Sequence, residues 1–209
     1  IEAVFPAQKI SFEAQRERKS GASQTLTAIG SFWKGRKPLI LVRAVVLGSL
    51  LPQTNDSEKD LEIFEMLMGI DDEGLARRAL QQNSLTPKKI ASLISLDHPS
   101  KYFSMSSKGD DITEISSIAF PVDLDELGIN IRWNKDISEN EKISIYKLAL
   151  SALYSYEDKA ILCKRPEEVN EEWLLEHAWS RVNEYYSHLG IKAFSLLDLI
   201  AQLGLLRFG

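Results

Sequence analysis

The sequence has a single cysteine, Cys163, which rules out an internal disulfide framework. Such sparing use of cysteine is typical of a reducing compartment, so we expect a cytoplasmic location. The longest apolar run, from Pro38 to Pro52, is interrupted by Arg43 and is too short to cross a bilayer. The segment Ile1 to Lys19 lacks the charged and then apolar layout of a signal peptide. We therefore expect no membrane contact.

Recognisable catalytic and metal-binding motifs are also lacking. The chain has no glycine-rich nucleotide loop and no nucleophile elbow, and its three histidines are scattered. Because Cys163 has no cysteine partner, we expect no metal site. The acidic pairs Glu167-Glu168 and Glu171-Glu172 are interpreted as partners of helix starts rather than as general acids or bases. We interpret His177, on an apolar helix face beside Trp173, as a half-buried histidine with its hydrogen bonds satisfied.

Charge is unevenly distributed along the chain. The net charge is −5, yet residues 1–43 carry eight cations against three acids, or +5, which leaves −10 for the remainder. A basic segment on an acidic body can meet phosphate, although a solvated surface explains the same pattern. The eight cations are Lys9, Arg16, Arg18, Lys19, Lys34, Arg36, Lys37 and Arg43.

Apolar spacing and capping signals predict a mainly α fold, a helical domain with a possible small β appendage. The helix from Leu39 to Leu51 is apolar nearly all round and is expected to be buried. The polar segment from Asp97 to Thr113 is expected to be irregular and mobile. Further helices are predicted at residues 12–19, 57–69, 72–83, 86–95, 138–154, 170–190 and 195–204, and short strands at residues 115–122 and 129–133.

The most informative constellation is a cationic, aromatic lead-in to the apolar helix, Phe32-Trp33-Lys34-Gly35-Arg36-Lys37-Pro38-Leu39. Pro38 suits a first helical position, and the free N–H groups of a helix start bind carboxylate or phosphate. Arg43 follows inside the helix, where an unpaired charge is very costly. It serves either an anionic ligand or an internal pair with a carboxylate, and the sequence leaves both open.

Several segments resemble the N-terminal domain of unknown function in adenine-specific DNA methylases of bacteria and archaea. The resemblance is sharpest at Trp33, Arg36-Lys37-Pro38-Leu39 and Arg43-Ala44, where the family usually reads Trp-Trp-Ala-Arg-Arg-Pro-Leu. Weaker likeness extends over Ile1-Glu2…Phe5-Pro6, Ala14…Lys19, Thr25-Leu26, Tyr156…Glu168 and Leu199…Gly209. It covers most of the chain.

The resemblance implies that Gly209 directly precedes an S-adenosylmethionine loop, and that the chain is a fragment without catalytic residues of its own. The segment Arg36-Lys37-Pro38-Leu39…Arg43 is also similar to a helix that walls the donor pocket of amino-methyltransferases, although there the helix and the loop are close in sequence. Arg36, Lys37, Pro38 and Arg43 are thereby implied as contacts of S-adenosylmethionine. Arg16, Arg18, Lys19, Trp33 and Lys34 are implied as contacts of DNA.

Three functions remain open. The first is an accessory region of a methyltransferase for adenine-N6 or cytosine-N4, with DNA and a missing C-terminal core as partners. In it, residues 1–52 form a basic segment and a helix packed on the catalytic sheet, and residues 53–209 lead into the missing core. The second is a non-enzymatic DNA-binding module, and the third is a protein-interaction module of a restriction or phage-defence complex.

Overall fold

A computed structural model describes residues 4–21, 38–107, 110–111, 121 and 129–191. Its helices are α1 (Ala7–Gly21), α2 (Leu39–Leu50), α3 (Ser57–Met68), α4 (Asp72–Gln82), α5 (Pro87–Leu93), α6 (Pro99–Tyr102), α7 (Glu139–Ser151), α8 (Tyr156–Ile161) and α9 (Glu171–His188), with a 3-10 turn at Pro166–Glu168. Its strands are β1 (Phe103–Ser107), β2 (Asp110–Asp111) and β3 (Ile129–Trp133). The mainly α prediction with a small β appendage is confirmed. The predicted strand at residues 115–122, except for residue 121, and the predicted helix at residues 195–204 lie outside the described residues.

The chain divides into two compact units. Unit 1 comprises Ile1–Gly74 and Lys164–Gly209, and unit 2 comprises Leu75–Cys163. Unit 1 is therefore built from both ends of the chain, and unit 2 is an insertion within it. The division between residues 52 and 53 that was expected from the sequence coincides with neither boundary of these units, which lie at residues 74/75 and 163/164.

Unit 1 is a helical assembly in which α1 packs on α2, α2 on α3, and α3 on α9. Local signals set the ends of α3, because Asp56 accepts a hydrogen bond from the Lys59 amide at its start. At its end Gly69 takes the left-handed conformation with φ of 65°. A Cβ atom on Gly69 would stand 2.7 Å from Leu174 of α9, so glycine also permits this close approach.

Helix α2 departs from the sequence prediction, since it is not buried on all sides. Its inward face buries Leu39, Ile40, Arg43, Ala44 and Leu47. Leu41, Val45 and Leu50 are 40%, 58% and 50% exposed. An apolar sequence predicts burial, since apolar side chains favour the core. It cannot reveal how much of the helix its neighbours cover, and here they leave one side exposed.

Unit 2 holds the antiparallel sheet, with strand order β2-β1-β3. Phe103 pairs with Trp133, and Met105 with Ile131. The prediction of an irregular segment from Asp97 to Thr113 is wrong over residues 99–107 and 110–111, which form α6, β1 and β2. Serine-rich β1 hides the alternation that marks a strand, because only Phe103 and Met105 carry its buried face.

Candidate functional site: the start of helix α2

The start of α2 is where the sequence predicted an anion site. Pro38 immediately precedes the helix, and its carbonyl oxygen accepts from the amides of Leu41 and Val42, at 3.1 and 3.3 Å. The predicted contacts Trp33, Lys34, Arg36 and Lys37 lie outside the described residues. The described part of the site therefore begins at Pro38.

A carboxylate from the same chain already occupies this helix start. The Leu39 amide donates to Glu17 Oε1 at 2.7 Å, and the Ile40 amide donates to Glu17 Oε2 at 3.2 Å. A carboxylate here accepts hydrogen bonds from amides that have no partner within the helix, and the positive end of the helix dipole stabilises its negative charge. An external anion must therefore displace Glu17 or bind beside it.

Arg43 is held on the inward face of α2. Its Nη1 atom lies 2.9 Å from Glu171 Oε1 at the start of α9, and the two side chains are 2% and 6% exposed. This is the internal pair that the sequence left open. With only 2% of its side chain exposed, Arg43 offers almost no surface to a donor molecule in this arrangement. Its place is structural, because it ties α2 to α9.

A second carboxylate lies near the start of α2, in the 3-10 turn that packs on this helix. Burial raises the pKa of Glu167, and the negative charge of Glu17 adds to this rise. Arg165 opposes it by donating to Glu167, and it also donates to Glu168. The sequence interpretation of these acids as partners of helix starts missed the contacts with Arg165.

The candidate DNA contacts on α1 differ in their surroundings. Arg16 lies 2.9 Å from Glu13, whose side chain is fully enclosed, and only 18% of the Arg16 side chain is exposed. Arg18 and Lys19 are exposed in the last turn of the helix. The negative end of the helix dipole also stabilises cations in this last turn. Arg18 and Lys19 are thus the more accessible members of this set.

His177 has partners on both sides of its ring, as the sequence interpretation predicted. Its Nδ1 atom lies 2.7 Å from the carbonyl oxygen of Leu174, and its Nε2 atom lies 3.3 Å from Asp71 Oδ2. The side chain is only 3% exposed. His177 therefore links α9 to the α3–α4 connection rather than facing a substrate.

Sequence reasoning missed a polar network that joins α9 to the α2–α3 connection. The Thr54 hydroxyl lies 2.8 Å from Asp60 Oδ1 and 2.9 Å from the Tyr185 hydroxyl, across 131 residues. The Thr54 amide donates to Asp60 Oδ2 at 3.0 Å. Burial, followed by the charge of Asp60, raises the pKa of neighbouring Tyr186. No spacing rule connects positions so far apart, so the sequence offered no signal for this network.

Unit 2 presents an ion pair at its surface and several exposed apolar side chains. Lys101 lies 3.4 Å from Glu141, and this hydrogen-bonded contact raises the pKa of Lys101. The capping bonds of Ser138 lower the pKa of Glu141. These contacts anchor the start of α7. Among the described residues of unit 2, the large apolar side chains that are exposed are Leu148, Tyr154 and Ile161.

Over the residues that the structure describes, no group of three or more His, Cys, Asp or Glu side chains is placed to hold a metal ion. Within the same ranges, no helix combines the length and apolar character needed to cross a membrane. In its described part, the chain is a mainly helical protein in which charged contacts anchor α2.

Residues 4–67 match a family described as "Protein of unknown function (DUF1156)". The matched segment contains α1 and α2 and nearly all of α3, and it covers less than a third of the chain. No curated protein and no solved structure matches the chain. Glu17 and Arg43 lie inside the matched segment, whereas Glu171 lies outside it. The matched helices thus rely on a helix from the far end of the chain.

Proposed function

We propose that this chain is the N-terminal accessory region of a cytoplasmic, S-adenosylmethionine-dependent DNA methyltransferase, and that it has no catalytic activity alone. The observation that carries the proposal is the methylase-like pattern Trp33, Arg36-Lys37-Pro38-Leu39 and Arg43-Ala44. The partners are DNA and a donor-binding core.

The geometry divides the roles of these residues. Arg43 holds α2 in place through its ion pair with Glu171. Glu17 holds the start of α2 by accepting hydrogen bonds from the first helical amides. A fixed α2 gives the preceding lead-in a rigid anchor at Pro38. Arg36 and Lys37 are then the cations that contact the anionic part of the donor, and Trp33 and Lys34 contact DNA. Charge-assisted hydrogen bonds suit both ligands.

Exposed cations on α1 complete the proposed DNA contact. Arg18 and Lys19 are exposed in its last turn, and Arg16, which is largely enclosed and paired with Glu13, lies two residues before Arg18. A methyltransferase that flips its target base needs additional surface that grips the duplex. Each phosphate contact contributes about −0.9 to the slope of log affinity against log salt concentration. Arg18→Ala with Lys19→Ala should therefore reduce that slope by roughly 2.

The decisive experiment measures donor and DNA binding by calorimetry in the polypeptide that joins this chain to its donor-binding core. We expect Arg36→Ala with Lys37→Ala to weaken donor binding at least about tenfold, since one charge-assisted hydrogen bond contributes roughly 1.5–3 kcal/mol. Lys88→Ala with Lys89→Ala is the matched control, because both lysines are exposed on α5. Unchanged donor and DNA affinities in the Arg36/Lys37 variant would show that this assignment is wrong.

A second candidate function is a protein-interaction module of a defence complex. It is favoured by the exposure of Leu148, Tyr154 and Ile161, since Tyr154 has its whole side chain in solvent. Exposed aromatic residues often anchor protein interfaces. The test measures association by light scattering and DNA binding at low salt. If Tyr154→Ser abolishes an observed association and no binding of DNA is detected, this function replaces the first.

A further inference from the structure

Both nitrogens of the enclosed His177 ring face oxygen atoms that accept hydrogen bonds. Nδ1 lies 2.7 Å from the carbonyl oxygen of Leu174, three residues earlier in α9, and Nε2 lies 3.3 Å from Asp71 Oδ2. A neutral imidazole has a single N–H group, so it can donate to one of these oxygens but not to both. The doubly protonated ring can donate to both at once.

The shorter of the two distances assigns the first proton. Nδ1 carries a hydrogen, since two lone pairs facing each other at 2.7 Å would repel. In a neutral ring Nε2 would then direct its lone pair at the Asp71 carboxylate. A second proton on Nε2 turns that repulsion into a charge-assisted contact. The side chains of His177 and Asp71 are 3% and 15% exposed, which leaves little room for water to take the place of this contact.

Asp71 is held in position by the α3–α4 connection. Its Oδ1 atom accepts a hydrogen bond from the Gly74 amide at 3.1 Å, in the first turn of α4. The connection is so tightly closed that a Cβ atom on Gly74 would stand 2.8 Å from the backbone carbonyl carbon of Gly69. Oδ1 is therefore engaged within the connection, and Oδ2 is the oxygen that meets His177.

The other charged groups around this part of α9 have positions or partners of their own. Arg181, one turn after His177, contacts Glu62 of α3. Lys9 of α1 contacts Glu65 of α3. Among these groups His177 is thus the cation that Asp71 meets. The remaining charged residues nearby in sequence are Asp72 and Glu73 in the first turn of α4 and Glu176 on α9 itself.

The contact of His177 differs from two other ion pairs of α9 in its response to pH. Glu171 pairs with Arg43, and Glu62 pairs with Arg181. Arginine keeps its charge throughout the accessible pH range. Histidine, by contrast, ordinarily gains and loses its proton between about pH 5 and 8. The contact with Asp71 can therefore be released while the two arginine pairs persist.

We propose that His177 carries a proton on both ring nitrogens in the folded chain and acts as a pH-sensitive clamp that joins α9 to the α3–α4 connection. The clamp is complete below about pH 6.5, where an ordinary histidine is protonated as well. Above that value the folded chain holds one proton more than the unfolded chain. The equilibrium constant for unfolding should then rise by up to about tenfold per pH unit until the clamp is lost.

The first test observes the ring protons directly. Long-range nitrogen–proton NMR spectra of the chain with isotope-labelled histidine distinguish protonated from unprotonated ring nitrogens. His188 is the internal reference, since 78% of its side chain is exposed. At about pH 7 we expect both nitrogens of His177 to be protonated and His188 to be largely neutral. An unprotonated Nε2 atom in His177 would overturn the proposal.

The second test removes the need for the additional proton. In Asp71→Asn, the side-chain carbonyl can still accept from the Gly74 amide, and the NH₂ group can donate to Nε2 of a neutral ring. Urea unfolding between about pH 6 and 8.5 should show the loss of stability in the unaltered chain but not in this variant. His188→Gln is the matched control and should keep the unaltered profile. A flat profile in the unaltered chain, or the same slope in Asp71→Asn, would overturn the clamp.

Discussion

Replacing Arg43 with methionine should destabilise unit 1 more than any exposed charge substitution. The change leaves the Glu171 carboxylate enclosed without its cationic partner at 2.9 Å. Two unit charges about 4 Å apart interact with about 4 kcal/mol in a protein environment, and breaking a buried pair costs about 3–5 kcal/mol. We therefore expect Arg43→Met to lower the free energy of unfolding by about 3–5 kcal/mol. The midpoint of thermal unfolding should fall by about 6–20 °C.

Urea unfolding followed by tryptophan fluorescence measures this loss, because Trp173 and Trp179 lie on α9 of unit 1. A control is Arg181→Met, which breaks an ion pair with Glu62 whose side chains are 49% and 40% exposed. That exposed pair should contribute at most about 1 kcal/mol.

A double-mutant cycle separates the charge effect from simple loss of packing. The variant with both Arg43→Met and Glu171→Leu has no buried charge at this position, so it should recover about 2–3 kcal/mol of the summed losses. If the two single losses simply add, or if Arg43→Met costs less than about 1 kcal/mol, the pair does not anchor α2 on α9 and the reasoning is refuted.

Two further predictions concern the acids at the start of α2. Glu17→Gln weakens the capping of the Leu39 and Ile40 amides, so calorimetric unfolding should show a loss of about 0.5–2 kcal/mol. Exposed Glu184→Gln, with 74% of the native side chain in solvent, should show almost none, and equal losses would contradict the capping role. Burial raises the pKa of Glu167, so the folded state binds the proton of this carboxyl more tightly than the unfolded state does. The resulting contribution to stability is present at low pH. It is lost as the pH rises above the pKa of an ordinary glutamate, about 4.3. Glu167→Gln should remove that part of the pH dependence in acid titrations of unfolding, and an unaltered profile would count against the assigned pKa direction.

Several elements of the fold could be predicted because their signals are local. Asp56 and Gly69 mark the ends of α3, and Ser138 with Glu141 forms the predicted capping box at α7. Strand β3 follows its apolar alternation and the aromatic Trp133. Caps and periodicity act within a few residues, so a single sequence contains them. The same applies to α9, whose start at Asn170 was predicted.

Other elements depended on distant neighbours. The aperiodic composition of residues 103–107 concealed β1, which exists because β3 pairs with it. The predicted helix at 138–154 ends at Ser151, and Tyr154 lies fully exposed beyond it. At β1 the pairing with a distant strand overrode the local pattern, whereas at the end of α7 the Ala152 amide donates to the Leu150 carbonyl within the same turn.

The sequence by itself determined that the chain is mainly helical, that a largely apolar helix begins after Pro38, and that Arg43 within it requires a partner. Only the tertiary structure decided which partner that is and which side of the helix faces water. Glu171 and Glu17 come from opposite directions along the chain, and both meet α2. Electrostatic cost demands that a buried charge be paired, but the choice of partner depends on packing between segments more than a hundred residues apart.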